Sequence, residues 1–146
     1  SFAMNAVVTA SSEMSNTYRK LDQSAVKAVD GVLDGEAGGL PYGHMRFAHA
    51  EWVTNQETAG AWINLDFQNK VDMSLIKLYD RPDMDNQITG GKLIFDDGSE
   101  IEVGELPNNG RPLEIPVNKN SRSVKFVITS VSGSTTSTGL AEIEVE

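Results

Sequence analysis

Ala61-Trp62-Ile63-Asn64-Leu65-Asp66-Phe67 is the stretch whose reading decides the fold. Its side chains alternate, with Trp62 and Asn64 on one side and Ile63, Leu65 and Phe67 on the other, the two-residue period of a strand with one buried face. A helix needs apolar residues three and four apart, and no segment of the chain sustains that stripe convincingly.

Onward from this strand, Val71 to Asp80 reads as the next one. Lys92-Leu93-Ile94-Phe95 and Ile101-Glu102-Val103 then flank Asp97-Gly98, a strong hairpin signal because glycine takes positive φ without steric cost. Leu113 to Val117 reads as an edge strand, since Pro116 has no N–H for a central ladder. Val124 to Thr129 and Ala141 to Val145 close the chain, separated by the Ser/Thr/Gly run from Ser130 to Gly139. Back toward the start, Val7 to Ser11 is a short strand followed by a polar run through Gln23, and Ala25 to Val29 leads into Asp30-Gly31. Val32 to Ala50, with Gly35, Gly38, Gly39, Pro41 and Gly43, is a long irregular excursion. About eight strands and no helix predict an all-β chain, an antiparallel β-sandwich of the jelly-roll kind.

The 146 residues suit one domain, large enough to bury a core without disulfides. Ser1-Phe2-Ala3-Met4 reads like a cloning remnant ahead of a domain at residues 5–146, which leaves room for a signal peptide removed earlier. Twelve Lys and Arg against 21 Asp and Glu give a net charge of −9, which argues against nucleic acid or an anionic membrane as partner, because both need a basic field. With no cysteine, there is no thiol chemistry to consider.

Phosphate-cradling glycine loops, zinc-spaced Cys/His sets and Gly-x-Ser-x-Gly elbows are missing, so the chain reads as a non-enzyme. His44 and His49 lie in the glycine-rich excursion without a neighbouring nucleophile and read as loop histidines open to ligand contact. Asp30, Asp34 and Glu142 offer hard oxygens of the kind calcium takes, against the plainer alternative that Asp30-Gly31 is a turn and Glu142 an outward strand residue. The densest polar feature follows the strand Ile76-Lys77-Leu78-Tyr79. Pro82 ends it, and the loop beyond carries Arg81 and Asn86, a planar multi-donor group and an amide suited to fixing hydroxyl-rich ligands. Tyr42, Phe47, His49 and Trp52 could supply the apolar face of such a site. The alternative for Arg81 is an ion pair with Asp80, Asp83 or Asp85. For Trp52 and Trp62 it is core packing, preferred for Trp62.

In order along nearly the whole chain, Val8-Thr9-Ala10-Ser11-Ser12, Ala28-Val29-Asp30-Gly31, Glu51-Trp52-Val53-Thr54, Gly60 to Phe67, Ile76 to Tyr79 and Gly139 to Val145 resemble the motifs of discoidin (coagulation factor type C) domains and their family 32 carbohydrate-binding relatives. Leu78-Tyr79-Asp80-Arg81-Pro82 with Asn86-Gln87-Ile88-Thr89-Gly90-Gly91 is similar to discoidin-like domains attached to bacterial secreted enzymes. The resemblance implies a galactose-binding-like module without chemistry of its own, holding polysaccharide or oligosaccharide through Arg81 and Asn86, with His49 a looser match. It also implies a structural calcium on Asp30, a position near Asp34, the Ala141 carbonyl and Glu142. A secreted or cell-surface bacterial setting, a catalytic domain in the same parent chain and a monomeric state complete the expectation. The rival is a structural or protein-interaction domain that binds no sugar.

Overall fold

The computed structural model describes residues 1–16, 21–33 and 50–146. Two long antiparallel strands organise it, β5 (Trp62–Tyr79, 18 residues) and β8 (Leu113–Val131, 19 residues). They pair from Trp62↔Val127 to Asp66↔Ser123 and again from Val71↔Ser121 to Leu78↔Leu113, with register shifts between Asp66 and Val71 and between Met73 and Leu75. The sequence had suggested two strands in each place. Gln68-Asn69-Lys70 looks like a turn, but Gln68 at φ 69° bends β5 without ending it, as an irregularity in a ladder does.

The bend lets each long strand serve two layers. Trp62 to Asp66 joins a sheet of order β1 (Val7–Ala10), β5, β8, β6 (Ile88–Phe95), β7 (Glu100–Val103), while Ile76 to Tyr79 pairs with β10 (Glu142–Val145). Two short pairs complete the ten strands among the described residues: β2 (Met14–Asn16) with β3 (Leu21–Gln23), and β4 (Trp52–Val53) with β9 (Gly139–Leu140). The architecture is the expected antiparallel β-sandwich, with the two fused strands and these four short pieces accounting for the altered count. Among the described residues, helical structure is confined to 3-10 turns at Phe2–Asn5 and Ala25–Val29.

Ile63, Leu65, Ile76 and Leu78 of β5 meet Leu93 of β6, Phe126 and Ile128 of β8, and Ile143 and Val145 of β10 in one buried cluster. Each such side chain contributes about 1.5–3 kcal/mol by leaving water. At the hairpin, Gly98 adopts φ 82° and donates to the Phe95 carbonyl, so Asp97-Gly98 turns the chain as its composition predicts. Pro116 lies in the half of β8 that pairs with β5 alone, an edge position. Within Ser1 to Met4, read as a remnant, Ala3 is buried and Ser1 Oγ accepts from Ala3 N and Val145 N, while Phe2 and Met4 are exposed.

The two tryptophans reverse their expected places. Trp52, proposed for a ligand, is 0 % exposed and its Nε1 donates to the Ser12 carbonyl at 2.9 Å. It is a core residue, with no surface to offer a sugar ring. Trp62, for which core packing was preferred, lies half-buried on the opposite face of β5 from Ile63 and Leu65, with Lys125 Nζ 4.3 Å from its ring centroid.

Close approach of β4 and β9 depends on Gly139. A Cβ built there would stand 1.9 Å from the Trp52 carbonyl oxygen and 3.0 Å from Val53 Cα, both backbone atoms that cannot move aside cheaply. Gly139→Ala is therefore expected to cost at least about 2 kcal/mol, lowering the melting temperature by roughly 4–8 °C. Gly133→Ala, where nothing lies within 4 Å, should melt within about 2 °C of the parent by the same calorimetric scan.

Candidate functional site

One end of the sandwich gathers the polar residues. Tyr79 ends β5, Ile88 begins β6, Val131 ends β8, and the β4–β9 pair sets Trp52 opposite Leu140 and Val53 opposite Gly139, with Glu51 just before β4 and Thr138 just before β9. Asp80 closes the loop between β5 and β6. Its Oδ1 accepts from Arg81 N at 2.8 Å and its Oδ2 from Ile88 N at 3.0 Å, so one carboxylate ties both stems of the 81–87 segment. Burial pushes Asp80 up to about 7, against the opposing pull of those two N–H groups and of the Arg81 charge.

Inside that loop Arg81 is 5 % exposed and turned inward. Its Nε and Nη2 each donate to Glu51 Oε1 at 3.3 Å, and its Nη1 donates to the Ser137 carbonyl at 2.7 Å. Nη2 also lies 3.7 Å from Asp83 Oδ2. Glu51, 0 % exposed, takes a further bond from Gln23 Nε2 at 3.0 Å. Asn86 is held as firmly: its Nδ2 donates to Asp83 Oδ2, while its Oδ1 accepts from Thr136 N at 2.9 Å and Ser137 N at 3.2 Å. Two consecutive backbone donors on Oδ1 fix which way the amide points.

The sequence thus brings Arg81 and Asn86 to one carboxylate, Asp83 Oδ2, which lies near both. Ion pairing of Arg81, the alternative weighed beside ligand contact, is present, and among the described residues Glu51 at 3.3 Å lies nearer than Asp83 of its own loop at 3.7 Å. Glu51 and Gln23 are the members that sequence reasoning missed. Thirty positions separate Glu51 from Arg81, so only its placement beside an apolar Trp52-Val53 pair, where a lone carboxylate needs a partner, could have signalled it. Tyr42, Phe47, His44 and His49, and Asp34 of the calcium set, lie outside the described residues.

A second polar corner adjoins the first. Glu142 faces Tyr79 across the β10–β5 ladder, is 2 % exposed, and accepts from Gly31 N at 2.9 Å through Oε2, while its buried Oε1 has no hydrogen-bond partner. Burial pushes Glu142 up to about 9, and the adjacent Asp30 carboxylate adds to the rise. Asp30 is itself raised, by burial first. Ala141, the other expected member, donates its N–H to the Tyr79 carbonyl at 2.9 Å. Two carboxyl groups from positions 30 and 142 thus meet in a partly dry corner, where a divalent cation would relieve both the orphaned oxygen and their repulsion. Among the described residues no third acidic or histidine side chain joins them, so a calcium shell of six to eight oxygens would need carbonyls and water.

Removing one partner of the buried pair strands the other charge. Arg81→Ala is therefore expected to destabilise the fold by about 3–5 kcal/mol. Lys92→Ala, which breaks an exposed pair with Glu100, should leave the midpoint of a urea titration close to that of the parent, where Arg81→Ala lowers it clearly.

The family model described as Domain of unknown function (DUF7402) matches residues 1–146. No curated protein sequence matches the chain. Among solved structures, the lectin domain of lectinolysin complexed with Lewis B antigen aligns with TM-score 0.69 and 25 % identity over 99 % of this chain and 94 % of its own. A fucose-binding module of Streptococcus pneumoniae, SpX-3, aligns with TM-score 0.71 at 21 % identity over 99 % and 96 %. The family 32 module of C. perfringens NanJ, solved in complex with galactose, aligns with TM-score 0.70 at 16 % identity over the same shares. The fold is thus that of family 32 modules and galactose-binding-like lectin domains, and by the match along its whole length the chain belongs to the family described as Domain of unknown function (DUF7402).

Proposed function

We propose that the domain is a non-catalytic carbohydrate-binding module that targets a secreted enzyme to polysaccharide and is braced by a structural calcium. The observation that carries this reading is the fixed polar cluster of Arg81, Asn86, Asp83 and Glu51 at the loop end of the sandwich. A sugar presents hydroxyl groups in set directions, and a site that recognises them needs donors and acceptors whose orientation is settled before the ligand arrives. Here the amide is pinned by two backbone N–H groups and the guanidinium by a buried carboxylate, so little ordering remains to be done on binding. The solved relatives add support, since their descriptions name Lewis B antigen and galactose as bound ligands. His49, Phe47 and Tyr42 complete the proposed site from the 34–49 segment, and Trp52 acts beneath it as core.

For the metal, Asp30 and Glu142 hold the cation, with the Ala141 carbonyl and a position near Asp34 as further ligands. When bound it supplies charge neutralisation at the corner where β10 meets β5.

One observation favours the rival, a domain that packs against a neighbouring domain and binds no sugar: the Arg81 charge is already faced by Glu51 and Asp83. Affinity gels and a glycan array separate the two. The unaltered domain should be retained by at least one polysaccharide, with single-site affinity in the millimolar to micromolar range, about −4 to −8 kcal/mol. Because Arg81→Ala threatens the fold, the informative variant is Arg81→Lys, which keeps the charge beside Glu51 but gives up the planar fork. It should lose retention while its circular dichroism stays that of the parent, and an array without any retained glycan would leave the rival standing.

Calcium is tested separately by melting. At 100 times its dissociation constant the ion should add about 2.7 kcal/mol. A chelator should remove that gain, and Glu142→Gln should melt at one temperature with calcium or chelator present. An unaltered domain indifferent to chelator would defeat the assignment.

A further inference from the structure

Of the ten asparagines in the chain, Asn109 alone is followed by glycine. An asparagine in that position can close on its own backbone, because a following residue without a side chain leaves its peptide nitrogen open to the amide carbon. Whether the closure proceeds depends on the fold, and three aspartate–glycine or asparagine–glycine pairs among the described residues allow a comparison. At Asp30-Gly31 the glycine N–H donates to Glu142 Oε2 at 2.9 Å, and at Asp97-Gly98 it donates to the Phe95 carbonyl at 2.9 Å. Both nitrogens are engaged, and an ionised carboxylate is a poor electrophile. At Asn109-Gly110 the asparagine is exposed, and the glycine N–H donates to no acceptor among the described residues.

The Asn109 side chain is also held toward the reaction. Arg111 N donates to Asn109 Oδ1 at 3.0 Å, which folds the amide back along the main chain toward the intervening Gly110 peptide. That donor stands at the oxygen on which negative charge develops when the amide carbon is attacked, the placement that stabilises a tetrahedral oxyanion. Gly110 adopts φ 86°, where a side chain would be strained, so the turn requires the residue that leaves its nitrogen unshielded. Asn86 is the opposite case. Its amide is bonded through both Nδ2 and Oδ1, and the N–H of the next residue, Gln87, donates to Thr135 Oγ1 at 3.0 Å.

We infer that Asn109-Gly110 is a self-modification site, at which the folded domain converts asparagine to aspartate and isoaspartate without an enzyme. The Gly110 nitrogen gives its proton to a solvent base and bonds to Asn109 Cγ. The Cγ–Nδ2 bond breaks, Nδ2 takes a proton and leaves as ammonia, and a cyclic imide remains. Water then opens the ring at Cγ to give aspartate, or at the main-chain carbonyl to give isoaspartate, whose backbone is longer by a methylene. Either product adds a negative charge. The longer backbone falls next to Asn108, whose Nδ2 donates to the Asp83 carbonyl at 3.0 Å, so the modified turn adjoins a brace of the Arg81 loop. The chemistry is independent of whether the domain binds sugar.

The test is incubation of the intact domain in mildly alkaline buffer, read by peptide mapping with mass spectrometry and by ion exchange, which resolves the added charge. Conversion at Asn109 should be at least about tenfold faster than at Asn86, and it should quicken as pH rises because the attacking nitrogen must give up its proton. Asn109→Gln, whose longer side chain closes a ring poorly, should lose the acidic form that accumulates in the parent. Conversion at Asn109 no faster than at Asn86 overturns the inference, as does an acidic form undiminished in Asn109→Gln. A rate in the folded domain more than about tenfold below that of the same chain unfolded in urea overturns it as well, since the fold would then shield the pair.

Discussion

A guanidinium and a carboxylate, both removed from water and 3.3 Å apart, hold the Arg81 loop end of this sandwich together. Burying either charge alone is costly, and a buried pair recovers that cost only when its remaining polar atoms are satisfied. Here Gln23 at the end of β3 gives Glu51 Oε1 a further bond, and the Ser137 carbonyl from the β8–β9 loop accepts one from Arg81 Nη1. Four segments distant in sequence, at Gln23, Glu51, Arg81 and Ser137, therefore meet at one oxygen and one guanidinium. An apolar pair of similar volume would hold the segments as well or better. The polar pair adds direction, because an Arg in a fork geometry admits few arrangements of the loops around it.

That direction passes to the neighbouring groups. Asp80 fixes the stems of the loop on Arg81 N and Ile88 N, and Asp83 turns its interior by accepting from Asp85 N and Asn86 Nδ2. Asn86 reaches across to Thr136 and Ser137, the latter being the residue whose carbonyl Arg81 holds. The two side chains most suited to ligand recognition thus grip the same short segment from opposite ends. A ligand meeting them meets a surface braced by the β8–β9 loop, which explains how a loop with several charged residues can be ordered without a helix or disulfide to support it.

Strand identity was legible in the sequence wherever one face is buried, because Ile63, Leu65, Ile76, Leu78 and Leu93 repeat at intervals of two and that period has no other reading. Asp97-Gly98 was legible for a local reason, positive φ at Gly98. What could not be read depends on distance. The continuity of β5 through Gln68 rests on pairing with β8, not on anything polar or apolar in Gln68-Asn69-Lys70. Trp62 is half-buried where core packing was preferred, because a tryptophan in an alternating strand says which residues share its face, not which face is inside, and Trp52 is buried. Glu51 was missed for the same reason: a carboxylate announces burial only through its partner. Asp30 and Glu142 were paired by resemblance to a known family, since residues 112 apart have no local signature; their hydrogen-bonded link through Gly31 is a property of the folded chain.

The two polar corners share a strand end, and this ties their electrostatics together. Glu142 is registered against Tyr79, Ala141 N–H binds the Tyr79 carbonyl, and Asp80 follows immediately. Acidic groups at 30, 51, 80, 83, 85 and 142 are thus concentrated around the end of β5 in a chain already at −9. Such a concentration is tolerable only if part of it is neutralised. Arg81 neutralises part in the first corner, and burial keeps protons on Asp80 and Glu142 to higher pH than usual. A divalent cation between Asp30 and Glu142 would do for the second corner what Arg81 does for the first, letting both carboxylates ionise without repelling each other. With a cation bound there, the two corners would be two solutions, one by guanidinium and one by cation, to the same excess of negative charge at the end of one strand.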